Sequence, residues 1–410
     1  MPLRPINFFG RTKSIRERWN ENFPVNEETA STSVRSTSSR WARINGLLSS
    51  DDWLVVGWVL TVRVLLFIFG SRSYQLLENK RTPGWFGWVD LWNRWDADQY
   101  LKLAKFGYTD ASVWKAWFYP LYPWCVRVVA FLNGNYLVSA LIVSAIALIA
   151  AALLLRRLAQ IDLSPEIALR SVWFFLIFPT AYFLHAPYTE SLFLALAIGS
   201  IFAARKDRWW LAGTLGALCW MTRANGIVLL PTLAVEAGYQ FWKTKRWDWR
   251  WLWIALVPLG FAIYLFLNWR VTGDPFGAFR MRKSMSFTSF DWPWRGMRGA
   301  IGIMMDWKPG QAEMVGTQEF VFALIGLIAV VASWIKLRPV YATWMTGSWL
   351  LFASVTFLES MPRYTLTMFP IFILFGWLGE SRFWRVAITV WSLLFLALFT
   401  SLFMRGWWAF

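Results

Sequence analysis

Long apolar runs alternate with polar connections along most of the chain. The runs fall at about 53–70, 118–133, 135–155, 169–186, 188–204, 208–223, 225–242, 251–269, 318–335, 339–358, 364–379 and 384–404. Most approach the roughly 20 residues that a helix needs to cross a bilayer, so the pattern predicts an all-α polytopic membrane protein. Two polar interruptions are long, residues 71–117 and 270–317, and the other connections are short turns. The first 50 residues are polar, basic and rich in Ser and Arg, with no apolar run before Trp53. They predict a solvated tail (1–50) ahead of a single transmembrane domain (51–410).

The placement of Lys and Arg predicts the orientation. Basic residues crowd the tail and the connections holding Arg156, Arg157 and Arg170; Arg205, Lys206 and Arg208; Lys243, Lys245, Arg246 and Arg250; Lys336 and Arg338; and Arg382 and Arg385. All of these should be cytoplasmic. If all twelve runs crossed, the tail and the Arg156 connection would lie on opposite sides. Residues 118–133 are short, carry Arg127 and open with Pro120 and Pro123, so they predict a re-entrant or juxtamembrane element instead. About 11 crossings remain, with both long polar loops facing outward from a plasma membrane.

Composition strengthens this picture. Of the 410 residues, 57% are hydrophobic and 16% charged, and the mean hydropathy is +0.41, well beyond what a soluble domain carries. Tryptophan clusters such as Trp209-Trp210 and Trp407-Trp408 fall at the ends of apolar runs, where headgroups favour an aromatic body with a polar N–H. The net charge of +17 is spread over many short connections, which argues for membrane orientation and against a nucleic-acid partner. A single histidine, His185, excludes a multi-His metal site, and Cys125 and Cys219 lie inside apolar runs without metal or redox spacing. With no phosphate-binding glycine loop, nucleophile elbow or zinc helix signature, an ATP-driven pump and direct use of a cytoplasmic nucleotide sugar are disfavoured. The substrates are expected in, or just outside, the membrane.

The first outer loop holds the most informative stretch, Leu91 to Tyr108, which predicts a helix lying on the membrane and stopped by Gly107. At about 100° per residue Asp96 shares a face with Trp92, Gln99, Tyr100 and Leu103, while Asp98, Lys102 and Lys105 point away. Asp98 and Lys102 predict an i,i+4 pair. A carboxylate on the apolar face is expensive, so Asp96 either pairs with a cation or has a chemical task. Farther along, Phe178 to Ser191 contains Pro179, Pro187 and a polar cluster, which suggests a broken helix. Glu190 opens the next helix, where an acid answers the helix dipole or meets substrate. His185 reads as a hydrogen-bonded structural histidine in preference to a general base. Asn225-Gly226 predicts a turn that leaves Arg223 without a sequence-adjacent acid, and Arg363 sits at another outer helix end. The second long loop carries Arg280, Arg282 and further basic residues, against the positive-inside trend, and so is suited to phosphate from headgroups or a substrate.

Several of these elements occur in a familiar order. Arg94-Trp95-Asp96-Ala97 through Gly107-Tyr108 is followed by Phe118-Tyr119-Pro120-Leu121-Tyr122-Pro123, Pro187-Tyr188-Thr189-Glu190-Ser191 and Thr222-Arg223-Ala224-Asn225-Gly226. Together they resemble the PIG-V (GPI mannosyltransferase 2) family over about residues 50–270, and Pro362-Arg363-Tyr364 looks like the matching element of bacterial relatives. The family often has a His two or three positions after the Asp, where this chain has Asp98 and Gln99. The resemblance implies a GT-C-type glycosyltransferase fold with juxtamembrane helices in the first outer loop. It implies inverting transfer of a hexose, mannose in this family, from a polyprenyl-phosphate donor to a lipid or glycolipid hydroxyl on the outer face. Asp96 would be the general base, and the substrate-binding residues would fall among Arg94, Gln99, Tyr100, His185, Tyr188, Glu190, Arg223, Asn225, Arg280, Arg282, Arg363 and Tyr364. No cofactor would be required and a divalent metal is not favoured, because arginine can stabilise a phosphate leaving group. The competing reading is a secondary transporter or lipid flippase, which the lack of an internal repeat disfavours.

Overall fold

A computed structural model describes residues 49–82, 86–109, 118–285 and 288–410, with the side chains of 282–285 excepted. The expected tail over 1–50 thus lies almost wholly outside the described residues. Ser50–Phe410 forms one all-helical unit. Helix α1, Ser50–Glu78, outruns the apolar stretch that begins it. Residues 71–78, expected as loop, are helical because no Gly or Pro interrupts them, and the helix ends at Asn79, whose φ is 51°.

Among the described residues five helical stretches are long and apolar enough to cross a membrane: Ser50–Glu78, Tyr136–Ala159, Trp249–Thr272, Pro309–Lys336 and Arg382–Met404. The other runs expected to cross fold as shorter helices: α5 (Pro165–Ile177), α6 (Glu190–Arg205), α7 (Trp209–Trp220), α8 (Leu229–Thr244), α13 (Pro339–Ala353) and α15 (Pro370–Leu378). Prolines and 3-10 turns, such as Ala181–Leu184 and Ala224–Val228, interrupt the apolar sequence between them. Close approach depends on glycine at two places. A Cβ on Gly213 of α7 would sit 2.0 Å from the Trp253 carbonyl oxygen, and one on Gly260 of α9 (Val257–Thr272) 2.0 Å from that of Ala217.

Residues 121–133 form helix α3, Leu121–Asn133, whose 13 residues span only about 20 Å. It folds back on α4 (Tyr136–Ala159) through Gly134 at φ 70°, and the Tyr122 hydroxyl lies 3.0 Å from Ser144 Oγ. Arg127, awkward in an apolar run, donates from Nε to the Ala104 carbonyl at 2.6 Å, capping α2 (Asp96–Phe106). The second long interruption contains α10 (Gly277–Met285) and α11 (Pro293–Asp306) and returns to the body by an antiparallel bridge between Phe290 and Val355. A π-helical turn, Ala312–Thr317, then leads into α12 (Gln318–Lys336).

Several of the basic connections meet at one end of the bundle. Arg156 of α4 reaches Asp52 at the start of α1 at 2.5 Å, and Arg205 at the end of α6 grips Asp162 at 2.6 and 2.7 Å. Arg338, just before α13, grips Glu236 of α8 at 2.7 and 3.0 Å. The start of α6, about 24 Å away along its 16 residues, carries Glu190 and lies at the other end.

Candidate active site

Three helix starts, those carrying Asp96, Glu190 and Arg363, and the connection holding Arg223 converge at that second end. Helix α2 begins at Asp96, not at Leu91 as the sequence pattern suggested, because Trp95 has φ 53° and ψ −121° and breaks the helical path. A tryptophan rarely adopts such a conformation, and the surroundings hold it there. Trp92 is buried and stacked on Phe67 with ring centroids 4.4 Å apart. Arg94 donates from Nη2 to the Met404 carbonyl at 2.9 Å, and its own carbonyl accepts the Tyr188 hydroxyl at 2.9 Å. The Trp95 ring meets Trp408 edge-on at 5.7 Å. Asp96 is therefore delivered at the first helical position from a loop pinned at several points.

The two acids of the Asp-Ala-Asp triplet part as their spacing demands. Asp98 pairs with Lys102 at 2.6 Å on the exposed face. Asp96 turns inward, where Oδ2 accepts from Arg363 Nη1 at 3.2 Å, yet its side chain stays 42% exposed and Oδ1 meets no partner among the described residues. This pairing answers the expectation that a carboxylate on that face would seek a cation.

Glu190 is the first residue of α6 and is fully buried. Its Oε1 accepts from Arg363 Nε at 2.5 Å and also from Arg223 Nη1, which donates to Thr189 Oγ1 at 3.0 Å as well. Oε2 is buried and finds no hydrogen-bond partner among the described residues. Arg363 thus bridges Asp96 and Glu190. Its guanidinium lies 4.7 Å from the Phe183 ring centre and 4.8 Å from that of Tyr188, so aromatic faces complete its enclosure. Arg223 lies 5.8 Å from the ring of Tyr364, which is itself stacked on Phe352 at 3.7 Å. Tyr100, on the inner face of α2, meets Tyr188 and Tyr122 edge-on at 6.3 and 5.5 Å, and burial pushes its phenol above the ordinary range.

Of the residues singled out from the sequence, Asp96, Tyr100, Tyr188, Glu190, Arg223, Arg363 and Tyr364 come together here. Arg94 contributes through its carbonyl, while its guanidinium caps the last helix, α16 (Arg382–Met404). Gln99 bonds to Asp98 at 3.3 Å, away from this cluster. Arg280 is 69% exposed and pairs with Asp274 of its own segment. The side chain of Arg282 lies outside the described residues. Asn225 is buried in a 3-10 helix instead of forming a simple turn, with Nδ2 unpartnered.

His185 departs from expectation. It is fully buried, yet among the described residues neither ring nitrogen has a hydrogen-bond partner, where the sequence suggested a hydrogen-bonded histidine. The side chains around it in sequence, Phe183, Leu184 and Ala186, are apolar and equally buried, and offer the ring no side-chain partner. Thr189 was not singled out from the sequence. Its position beside Glu190 was the available signal, but its bond to Arg223 spans 34 residues. Among the described residues no three His, Cys, Asp or Glu side chains gather as a metal site would require.

Comparison with known proteins draws attention to the same stretch. Residues 85–257 match the family model for mannosyltransferase (PIG-V). A curated relative, GPI alpha-1,6-mannosyltransferase 2 from Mus musculus, is 32% identical over 157 residues, which is 34% of this chain and 30% of the mouse protein. Among solved structures the chain is similar to ArnT from Cupriavidus metallidurans bound to undecaprenyl phosphate, at 14% identity over 85% of this chain and 73% of that one, with a TM-score of 0.49. It is also similar to the archaeal oligosaccharyltransferase AglB from Archaeoglobus fulgidus in complex with an inhibitory peptide and a dolichol-phosphate, at 10% identity over 85% and 55% of the two chains, with a TM-score of 0.40. The stretch that matches the mannosyltransferase (PIG-V) model, residues 85–257, carries Asp96, Glu190 and Arg223, and the chain spans less than a third of the length of the mouse relative.

Proposed function

We propose that the protein is a membrane glycosyltransferase of the GT-C type that moves mannose from a polyprenyl-phosphate donor to a hydroxyl of a lipid or glycolipid acceptor. The observation that carries this reading is the Arg363 bridge: one guanidinium from outside the family-matching stretch joins a half-exposed carboxylate, Asp96, to a buried one, Glu190, both of which lie within it. Asp96 has an oxygen free to take a proton, and it is the acid of this cluster that is open to an incoming hydroxyl. In the reaction the acceptor oxygen bonds to the anomeric carbon as the bond from that carbon to the phosphate oxygen breaks. Asp96 receives the hydroxyl proton, and the electron pair leaves with the lipid phosphate. Attack opposite the leaving group inverts the anomeric centre, giving an α-mannoside from a β-linked donor.

The leaving group is already a stable anion. Guanidinium donors of Arg223 and Arg363 beyond those held by the carboxylates suit its developing charge, so the step needs no metal. The absence of a nucleotide-binding loop from the sequence fits a lipid-linked donor, and the basic connections at the far end of the bundle favour an extracytoplasmic site. The test is to incubate purified protein with radiolabelled polyprenyl-phosphate mannose and a lipid extract. Label moving into a new lipid, and lost with Asp96→Asn, is the expected result. If no label is transferred by folded wild-type protein under conditions that keep the donor intact, the reading fails.

A further inference from the structure

Glu319 is the second residue of α12 and is 1% exposed, a carboxylate on a helix that is otherwise mostly apolar. Such a group is costly to bury unless its oxygens are bonded. Both are, and to backbone: Oε1 accepts the Ser360 N–H at 2.8 Å and Oε2 the Met361 N–H at 2.6 Å. The chain it grips is unusual. Ser360 has φ 65° and ψ 26°, a left-handed conformation that residues with side chains rarely take. Pro362, which has no N–H to offer, follows in α14 (Met361–Thr367), and its carbonyl accepts from Thr180 Oγ1 at 2.9 Å. The next residue is Arg363, whose side chain reaches Asp96 and Glu190. The backbone from which Arg363 projects is thus held on one side by an acid that touches neither Asp96 nor Glu190.

We infer that Glu319 is a positioning residue for Arg363, holding the left-handed turn at Ser360 so that the guanidinium meets Asp96 and Glu190 together. As far as turnover is concerned this rests on the proposed transferase reading, so the experiment has a second readout that does not. Glu319→Gln keeps one acceptor oxygen and presents an amide donor to the other N–H; Glu319→Leu removes both acceptors. With polyprenyl-phosphate mannose as donor, kcat should fall about tenfold for Glu319→Gln and further for Glu319→Leu, with donor KM within about twofold of wild type. In an Arg363→Gln background the same changes should lower kcat by no more than about a further twofold, because what Glu319 positions is already gone.

The same double-mutant cycle is read by thermal unfolding, where the Tm loss from Glu319→Gln should shrink once Arg363 is replaced. Where Glu319→Leu gives too little folded protein, Glu319→Asp and Glu319→Gln carry the comparison. Full additivity in both readouts, or a rise in KM with unchanged kcat, overturns the inference. If wild-type protein transfers no sugar, the transferase reading falls and the unfolding cycle alone decides the role of Glu319.

Discussion

Helix α6 carries a cluster of acids and arginines at each end, and the two clusters use the same chemistry in opposite ways. At the Arg205 end every carboxylate oxygen is engaged. Asp162 takes both Arg205 bonds and the Tyr341 hydroxyl, and Glu236 takes a two-pronged contact from Arg338 and a bond from Gln240. At the Glu190 end the arginines crowd onto one oxygen of Glu190, the other oxygen is buried without a partner, and Asp96 offers a free oxygen toward solvent. Saturated pairing ties helix ends together. Incomplete pairing beside an exposed acid leaves donors and acceptors for something the chain does not itself provide.

The largest effect that can break this contrast is at Asp96. Asp96→Asn keeps the shape of the side chain and removes the base, so turnover should fall about 100-fold or more with little change in Tm. A Tm loss matching that of a saturated pair would mean that Asp96 is structural. The complementary change is Arg338→Ala, which leaves the fully buried Glu236 with the Gln240 bond and a 3.7 Å contact to Arg205 in place of its two-pronged partner. It should cost on the order of 3 kcal/mol of stability while turnover per folded molecule stays within about twofold, measured by denaturation beside a transfer assay. Replacing Arg338 and Glu236 together with Met and Leu should recover much of that loss. If Arg338→Ala instead lowers turnover as Asp96→Asn does, the two ends of α6 are not separable.

Much of this division was legible in the sequence, for identifiable reasons. Helical periodicity put Asp96 and Asp98 on opposite faces, and their partners, Arg363 and Lys102, lie accordingly. Proline and polar spacing marked the broken segment before Glu190. The reach of Arg363 was harder to see, since 267 residues separate it from Asp96 and no local pattern encodes that contact. Apolar composition also cannot distinguish burial in lipid from burial in protein. The five long stretches include α1, with large side chains such as Leu65 and Ile68 exposed along it, whereas nearly every side chain of the shorter α6 is buried inside the bundle. The hydrogen-bonded His185 expected from the sequence rested on the rule that buried polar groups usually find partners, and among the described residues the side chains flanking it are apolar.

Arg223 sharpens the contrast at the next scale. Arg223→Lys keeps a positive charge beside Glu190 but loses the planar fork that suits phosphate. Donor affinity should weaken by about 1.5–3 kcal/mol, measured by equilibrium binding of the polyprenyl-phosphate sugar. Unchanged affinity with intact folding would move the phosphate site elsewhere and leave Arg223 as a partner of Glu190 alone.

The smallest expected effect lies two residues from the largest. Asp98 and Lys102 form an exposed i,i+4 pair, with side-chain exposures of 49% for Lys102 and 39% for Asp98, so solvent and salt screen most of their attraction. Asp98→Asn should therefore cost only about 0.3–0.5 kcal/mol of stability and leave turnover nearly unchanged. The alternative it tests is a metal held jointly by the two acids. In a continuous helix residues two apart point roughly 160° away from each other, so both carboxylates cannot converge on one ion without unwinding α2. Trp95 breaks the helix just before Asp96, but Asp96 and Asp98 both lie within α2. Paired assays of Asp96→Asn and Asp98→Asn, each with and without a chelator, separate the two cases. Loss confined to Asp96 and indifferent to chelator fits an unassisted base. Equal loss in both variants with inhibition by chelator would replace it with a metal-bridged site, and the contrast between the two ends of α6 would then need an ion to explain it.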